Sequence, residues 1–129
     1  MSLTIRNLQK SFGPTLVLDS IEIDAEQGEL LVLLGASGCG KSTLLHCIAG
    51  LEPIAAGEIQ IKGKKVQSLP PADRNIAMVF QNYALYPTMT VARNITFGLE
   101  CSGASKTEQN KALSRVSSLL KIQELLERK

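Results

Sequence analysis

The sequence predicts an α/β fold, and three consecutive segments carry that prediction. Residues 29–34 form an almost continuous apolar run, which is typical of a strand buried on both faces. A glycine-rich stretch follows at 35–40. Residues 41–49 then place apolar side chains at helical spacing before Gly50, a natural helix C-cap. A strand, a glycine-rich loop and a helix in this order indicate an α/β core.

Two short segments precede this core. Residues 3–8 and 17–23 alternate or are apolar, and Gly13 and Pro14 separate them. Alternation interrupted by turn residues predicts a pair of strands near the edge of a sheet.

Two further strands are predicted after the helix. Residues 58–61 alternate between polar and apolar, and the apolar segment 76–80 is a second candidate for a buried strand. Pro70 and Pro71 interrupt the chain between them. Buried strands combined with alternating strands predict a mixed sheet.

The last third of the chain is predicted to be helical. A short helix begins at Val91, and apolar side chains at helical spacing from Leu113 to Leu120 predict a longer one. The apolar stripe slips in phase at Ile122, which predicts a kink or a new helix there.

Composition excludes several classes of function. The 129 residues are 44% hydrophobic with a net charge of +2, and no basic run interleaved with aromatic residues is present, so nucleic acid is not an expected partner. The longest apolar stretch is far shorter than the roughly 20 residues that a membrane span requires. Three cysteines without CxxC spacing favour free thiols over a zinc site. We expect a cytosolic chain.

A phosphate-binding motif stands between the predicted buried strand and the helix. The segment fits G-x-x-x-x-G-K-[ST], and its residues are Gly35, Ala36, Ser37, Gly38, Cys39, Gly40, Lys41 and Ser42. Glycines let successive backbone N–H groups turn toward an anion, and the N-terminus of the following helix adds unsatisfied donors and a positive dipole end. The motif predicts that this segment binds the phosphates of a nucleotide.

Three side chains of the motif have separate roles in this interpretation. Lys41 supplies a positive charge to the β- and γ-phosphates, and the Ser42 hydroxyl is a ligand for the Mg²⁺ that accompanies ATP. Thr43 binds an α-phosphate oxygen. A phosphate-binding loop alone leaves a small-molecule kinase and a nonenzymatic nucleotide-dependent interaction module as alternatives to a transport ATPase.

Residues outside the motif resemble one family, the ABC-transporter ATPases. Residues 7–13 resemble the opening of these proteins, in which an aromatic residue before glycine stacks on adenine, and Phe12 occupies that position. Residues 74–87 resemble the Q-loop region of the bacterial sugar importers of the maltose and glycerol-3-phosphate type. Residues 91–99 resemble the helix that follows.

The resemblance implies a fold and a division of the chain. It implies an ABC ATPase core of the P-loop NTPase type with an antiparallel β subdomain and the start of a helical subdomain. Residues 1–87 would form the nucleotide-binding core and residues 88–129 the start of the helical subdomain. The parallel strand that carries the acidic pair of these proteins would lie in the middle of the sheet, so we expect residues 1–129 to expose apolar surface.

The resemblance also implies a mechanism and partners. Gln81 would reach Mg²⁺ and the attacking water, and the segment after it would contact membrane-spanning permease subunits at the inner face of the cell membrane. ATP would join two such subunits head to tail. In this family the signature loop, the catalytic glutamate and the switch histidine follow the part that corresponds to Lys129, so we expect residues 1–129 to bind ATP without hydrolysing it.

Overall fold

A computed structural model describes residues 2–129, and these form two compact units. The first unit, called the sheet unit below, extends to Met78. The second, the helical unit, runs over Val79–Lys129. None of the described residues form a helix that is long and apolar enough to cross a membrane.

The sheet unit contains four strands in one antiparallel sheet with the order β2-β1-β3-β4. The strands are β1 (Leu3–Phe12), β2 (Thr15–Ala25), β3 (Ala56–Ile61) and β4 (Lys64–Lys65). β1 and β2 form a hairpin in which Phe12 pairs with Thr15. Gly13 lies in the connecting turn with φ +57°, a conformation that glycine adopts without strain. The predicted strand pair and the predicted strand at 58–61 are confirmed.

The core of the sheet unit lies between the sheet and helix α1 (Lys41–Ala49). Ile5, Leu8 and Ile59 of the sheet are fully buried, and they share one apolar cluster with Leu44 and Cys47 of α1. The helix ends at Gly50, whose φ of +84° turns the chain away from the helix. The helix predicted over 41–49 and its glycine C-cap are confirmed.

The prediction of two buried strands was wrong. Residues 29–34 and 76–80 adopt no strand structure, and Leu30, Leu34 and Val79 are each more than 85% exposed. The sheet formed by the described residues is purely antiparallel rather than mixed. A strand is defined by hydrogen bonds to a neighbouring strand, and none of the four described strands pairs with either segment. The expectation of exposed apolar surface is confirmed.

The helical unit contains α2 (Val91–Cys101), α3 (Lys106–Leu120) and a 3₁₀ turn (Gln123–Leu125). Side-chain caps start both helices. The hydroxyl of Thr90 accepts from the Arg93 N–H, and Ser105 and Glu108 form a reciprocal capping box. Lys121 ends α3 with φ +57°, and the new turn after it confirms the predicted break near Ile122.

Candidate functional site

The glycine-rich loop connects segment 29–34 to the first turn of α1. Gly38 and Gly40 have φ of +81° and +97°, values that other residues adopt with strain. A Cβ on Gly40 would lie 2.9 Å from Leu18 Cδ2 and 3.3 Å from Val17 Cγ1 of β2. The loop therefore packs directly against the hairpin, and at this position only glycine fits.

The N-terminus of α1 is open to an anion. Among residues 2–129 no side chain caps the helix, and its first turn carries no acidic residue. The unsatisfied N–H groups of a helix N-terminus, together with the positive end of the dipole, attract phosphate. Residues 35–43, called the cradle below, thus have the features of a binding site for a polyphosphate.

Lys41 lies across the loop. Its ammonium donates to the carbonyl oxygen of Gly35 and, at 2.9 Å, to that of Ala36, and it lies 3.7 Å from Cys39 Sγ. A Cβ on Gly35 would lie 2.6 Å from the same sulfur. The cationic charge is therefore held at the loop, and its contact with the phosphates remains a prediction.

Ser42 and Thr43 follow in the first turn of α1. Ser42 is exposed and Thr43 is half-buried. A serine hydroxyl at this position suits a Mg²⁺ ion, which takes oxygen ligands and retains several waters. Their predicted contacts with Mg²⁺ and the α-phosphate remain predictions.

Phe12 lies at the end of β1 nearest the hairpin turn. Its side chain is 45% exposed, and the ammonium of Lys10 lies 4.8 Å from the ring centroid. Val17 and Leu18, which contact Gly40 of the cradle, belong to the paired strand. The structure therefore brings Phe12 to the same end of the hairpin as the cradle.

The sequence patterns did not predict that Lys10 is buried near Phe12. It is 6% exposed, donates to the Pro53 carbonyl at 2.7 Å and lies 3.1 Å from Glu52 Oε2. The strand alternation could have indicated this burial. Lys10 lies two residues after buried Leu8 and therefore on the same face of β1.

Arg74 was recognised only as part of a motif. It is 5% exposed, and its guanidinium donates to the carbonyls of Cys47, Ile48 and Leu69. Burial lowers the pKa of this guanidinium, although it remains a cation. Arg74 thus caps the C-terminus of α1, and no sequence pattern identified the carbonyls that it binds.

Gln81 lies in the helical unit. It is exposed at the start of a turn in which Tyr83 and Ala84 have φ of +65° and +48°. The segment after it is held to α2 by Asn94, whose carboxamide exchanges two hydrogen bonds with the Tyr86 backbone at 2.9 and 3.1 Å. The proposed role of Gln81 remains a prediction.

Comparison with known proteins gives consistent matches. The family model for ABC transporters matches residues 18–129. The sn-glycerol-3-phosphate import ATP-binding protein UgpC 1 of Rhizobium johnstonii is 49% identical over 127 residues, which cover 98% of this chain and 34% of that protein. The maltose/maltodextrin import ATP-binding protein MalK of Salmonella typhimurium is 46% identical over 128 residues, with coverages of 99% and 35%.

A solved structure has the same fold. It is the dimeric, post-hydrolysis state of the ATP-binding cassette MJ0796 bound to ADP and Pi, with a TM-score of 0.85 and 25% identity. The match covers 98% of this chain and 61% of that one. The predicted fold class is confirmed. The chain spans about a third of the length of the two curated relatives.

Proposed function

The chain belongs to the ABC transporter family, and on that basis we propose that it is the ATP-binding, energy-coupling part of an importer for a sugar or a related solute. The phosphate cradle is the observation that supports this proposal. Its glycines, the uncapped helix N-terminus and Lys41 are together suited to a nucleoside triphosphate. The two curated relatives are named as import proteins for glycerol 3-phosphate and for maltose, which supports the solute class.

Each part of the site has a defined task in this proposal. The cradle residues bind the phosphates, and Phe12 stacks on adenine. Lys41 and Gln81 carry the catalytic roles, the first as a charge on the phosphates and the second by orienting water. Ser42 and Gln81 would hold Mg²⁺, which neutralises phosphate charge when it is bound.

Residues 1–129 bind ATP without turnover in this proposal. Besides the water-orienting Gln81, phosphoryl transfer to water in this family requires a glutamate that polarises the water and a signature loop supplied by the partner subunit. In the family, both of these elements belong to parts of the protein other than the part that residues 1–129 resemble. Residues 1–87 form the nucleotide-binding core, and residues 88–129 begin the helical subdomain.

The proposed partners are a second ATP-binding subunit, arranged head to tail, and the membrane-spanning permease subunits. The segment after Gln81 contacts the permease at the inner face of the cell membrane. Exposed Tyr83 and Leu85, at 76% and 69%, support this assignment because they offer apolar surface to a protein partner.

Calorimetric titration of the chain with ATP and Mg²⁺ tests the proposal. We expect binding that Lys41→Ala weakens at least tenfold, since a hydrogen bond to a charged group contributes about 1.5 to 3 kcal/mol. Lys64→Ala removes an exposed lysine of β4 and serves as the charge-matched control. Phosphate release is followed in parallel. Equal weakening by both variants would contradict the cradle assignment, and turnover would contradict the proposal of binding without hydrolysis.

A further inference from the structure

We propose that Lys10 is a positioning residue for the nucleotide base. Its ammonium lies over one face of the Phe12 ring, which is 45% exposed, and in this proposal the purine stacks on the opposite face. The inference rests on the proposed function, because it requires Phe12 to stack on the base.

The position of the ammonium is set by protein contacts. Lys10 is 6% exposed, its Nζ donates to the Pro53 carbonyl at 2.7 Å, and the same atom lies 3.1 Å from Glu52 Oε2. Glu52 and Pro53 lie in the segment that leaves the C-terminal end of α1, the helix that begins at the cradle. A buried cation with an ion pair and a carbonyl acceptor has little freedom to move away from the ring.

The contact with Phe12 has a defined electrostatic sense. The face of an aromatic ring is negative, so a cation 4.8 Å from the centroid is attracted to it. The attraction orients the ring, and the cation draws ring electron density toward its own side. The opposite face is then better suited to the electron-rich π system of a purine.

The geometry connects this pair to the cradle. Lys10 pairs across the hairpin with Leu18, and a Cβ on Gly40 of the cradle would lie 2.9 Å from Leu18 Cδ2. Phe12 lies two residues further along β1, a rise of roughly 7 Å. The ring, the ammonium and the phosphate loop therefore share one end of the hairpin.

The experiment separates the base from the phosphates. Calorimetry measures the affinities of ATP and of inorganic triphosphate, both with Mg²⁺, for the Glu52→Gln chain and for the chain with Glu52→Gln and Lys10→Met. The shared Glu52→Gln change avoids leaving an unpaired carboxylate when Lys10 is neutralised. We expect Lys10→Met to weaken ATP binding about threefold, the range of a cation–π contact whose ring is partly exposed, and to leave triphosphate binding unchanged.

Two further variants identify the path of the effect. In a Phe12→Leu background the loss caused by Lys10→Met should vanish, because no ring remains to be positioned. Lys10→Arg retains a cation and should preserve the ratio of the ATP affinity to the triphosphate affinity. Circular dichroism confirms that each variant is folded. If Lys10→Met unfolds the chain, Lys10→Gln, which also lacks the positive charge, takes its place.

Several outcomes would overturn the inference. Equal losses for ATP and triphosphate would indicate a purely structural lysine, and a loss that persists without the Phe12 ring would place its action elsewhere. If the unmodified chain bound triphosphate as tightly as ATP, base stacking would be absent and the phosphate site would still stand. Absence of binding for both compounds would instead refute the proposed function itself.

Discussion

The two units of the chain are stabilised in different ways. Every buried apolar side chain among residues 2–129 lies in the sheet unit, and the buried residues of the helical unit are the polar Gln109 and Ser117. The sheet unit collects its core from distant parts of the sequence, because β1 pairs with both β2 and β3. The helical unit contains local contacts such as the Ser105–Glu108 capping box, together with backbone hydrogen bonds from Val91 and Ala92 to Arg128 and Leu126. Burial should therefore decide the stability of the first unit, and capping that of the second.

Natural probes can follow each unit separately. Both tyrosines, Tyr83 and Tyr86, lie in the helical unit, so tyrosine fluorescence reports on that unit. Cys47 is buried in the sheet unit, whereas Cys39 and Cys101 are exposed. The rate of alkylation of Cys47 in urea therefore reports the opening of the sheet unit.

The largest effect is expected from a cavity in the sheet unit. Ile59 is fully buried in the core, and Ile59→Ala should lower the free energy of unfolding by roughly 4 kcal/mol. Cys47 should then become reactive at much lower urea concentration. Leu119→Ala is the control, because Leu119 is 78% exposed and its truncation should change stability by less than about 0.5 kcal/mol. Comparable costs at the two positions would refute the contrast between the units.

Substitution of two glycines, one in each unit, distinguishes the cost of a steric collision from the cost of backbone strain. Gly50 and Gly103 have nearly equal φ, +84° and +80°, but a Cβ on Gly50 would lie 2.6 Å from Arg74 Nε, whereas one on Gly103 would meet nothing within 4 Å. Gly50→Ala should cost roughly 3 kcal/mol, and Gly103→Ala about 1 kcal/mol from the left-handed backbone alone. Urea unfolding of both variants measures the difference. Equal costs would mean that Arg74 yields to the new methyl group.

The next effect tests side-chain hydrogen bonds in the helical unit. Asn94→Ala removes the two hydrogen bonds to the Tyr86 backbone and those to the carbonyls of Met89 and Thr90. We expect a loss of about 1 to 2 kcal/mol, seen by tyrosine fluorescence. Asn110→Ala alters an exposed position of α3 and should have little effect. A loss seen only through Cys47 would contradict the local role of Asn94.

The smallest effect is a pH dependence of α3. Hydrogen bonds from the Ser105 backbone and hydroxyl lower the pKa of Glu108 below its ordinary value. Because the folded pKa is depressed, the stabilisation is fully present above the unfolded pKa and is lost as pH falls through the folded pKa. Helix content measured by circular dichroism should fall below about pH 4 more in the native chain than in Glu108→Gln. If the helix content of both chains fell in the same way with pH, the ionised Glu108 would contribute nothing to the stability of α3.

The features predicted correctly from the sequence depend on patterns within short stretches of the chain. The helix over 41–49, its Gly50 cap, the hairpin strands and the break near Ile122 each follow from spacing, glycine and phase within a few neighbouring residues. The phosphate motif belongs to the same class, because its chemistry depends on backbone geometry that its own glycines permit.

Other features depended on the tertiary structure. The apolar runs 29–34 and 76–80 have the composition of strands, but a strand requires a hydrogen-bonding neighbour, which an apolar run cannot specify by itself. The burial of Lys10 and Arg74 was equally invisible, because their acceptors, including Pro53 and Cys47, lie 43 and 27 residues away along the chain. The sequence by itself determined the local elements and the phosphate loop, whereas the folded structure decided which strands pair and which cations are buried, since those outcomes depend on contacts between residues far apart in the chain.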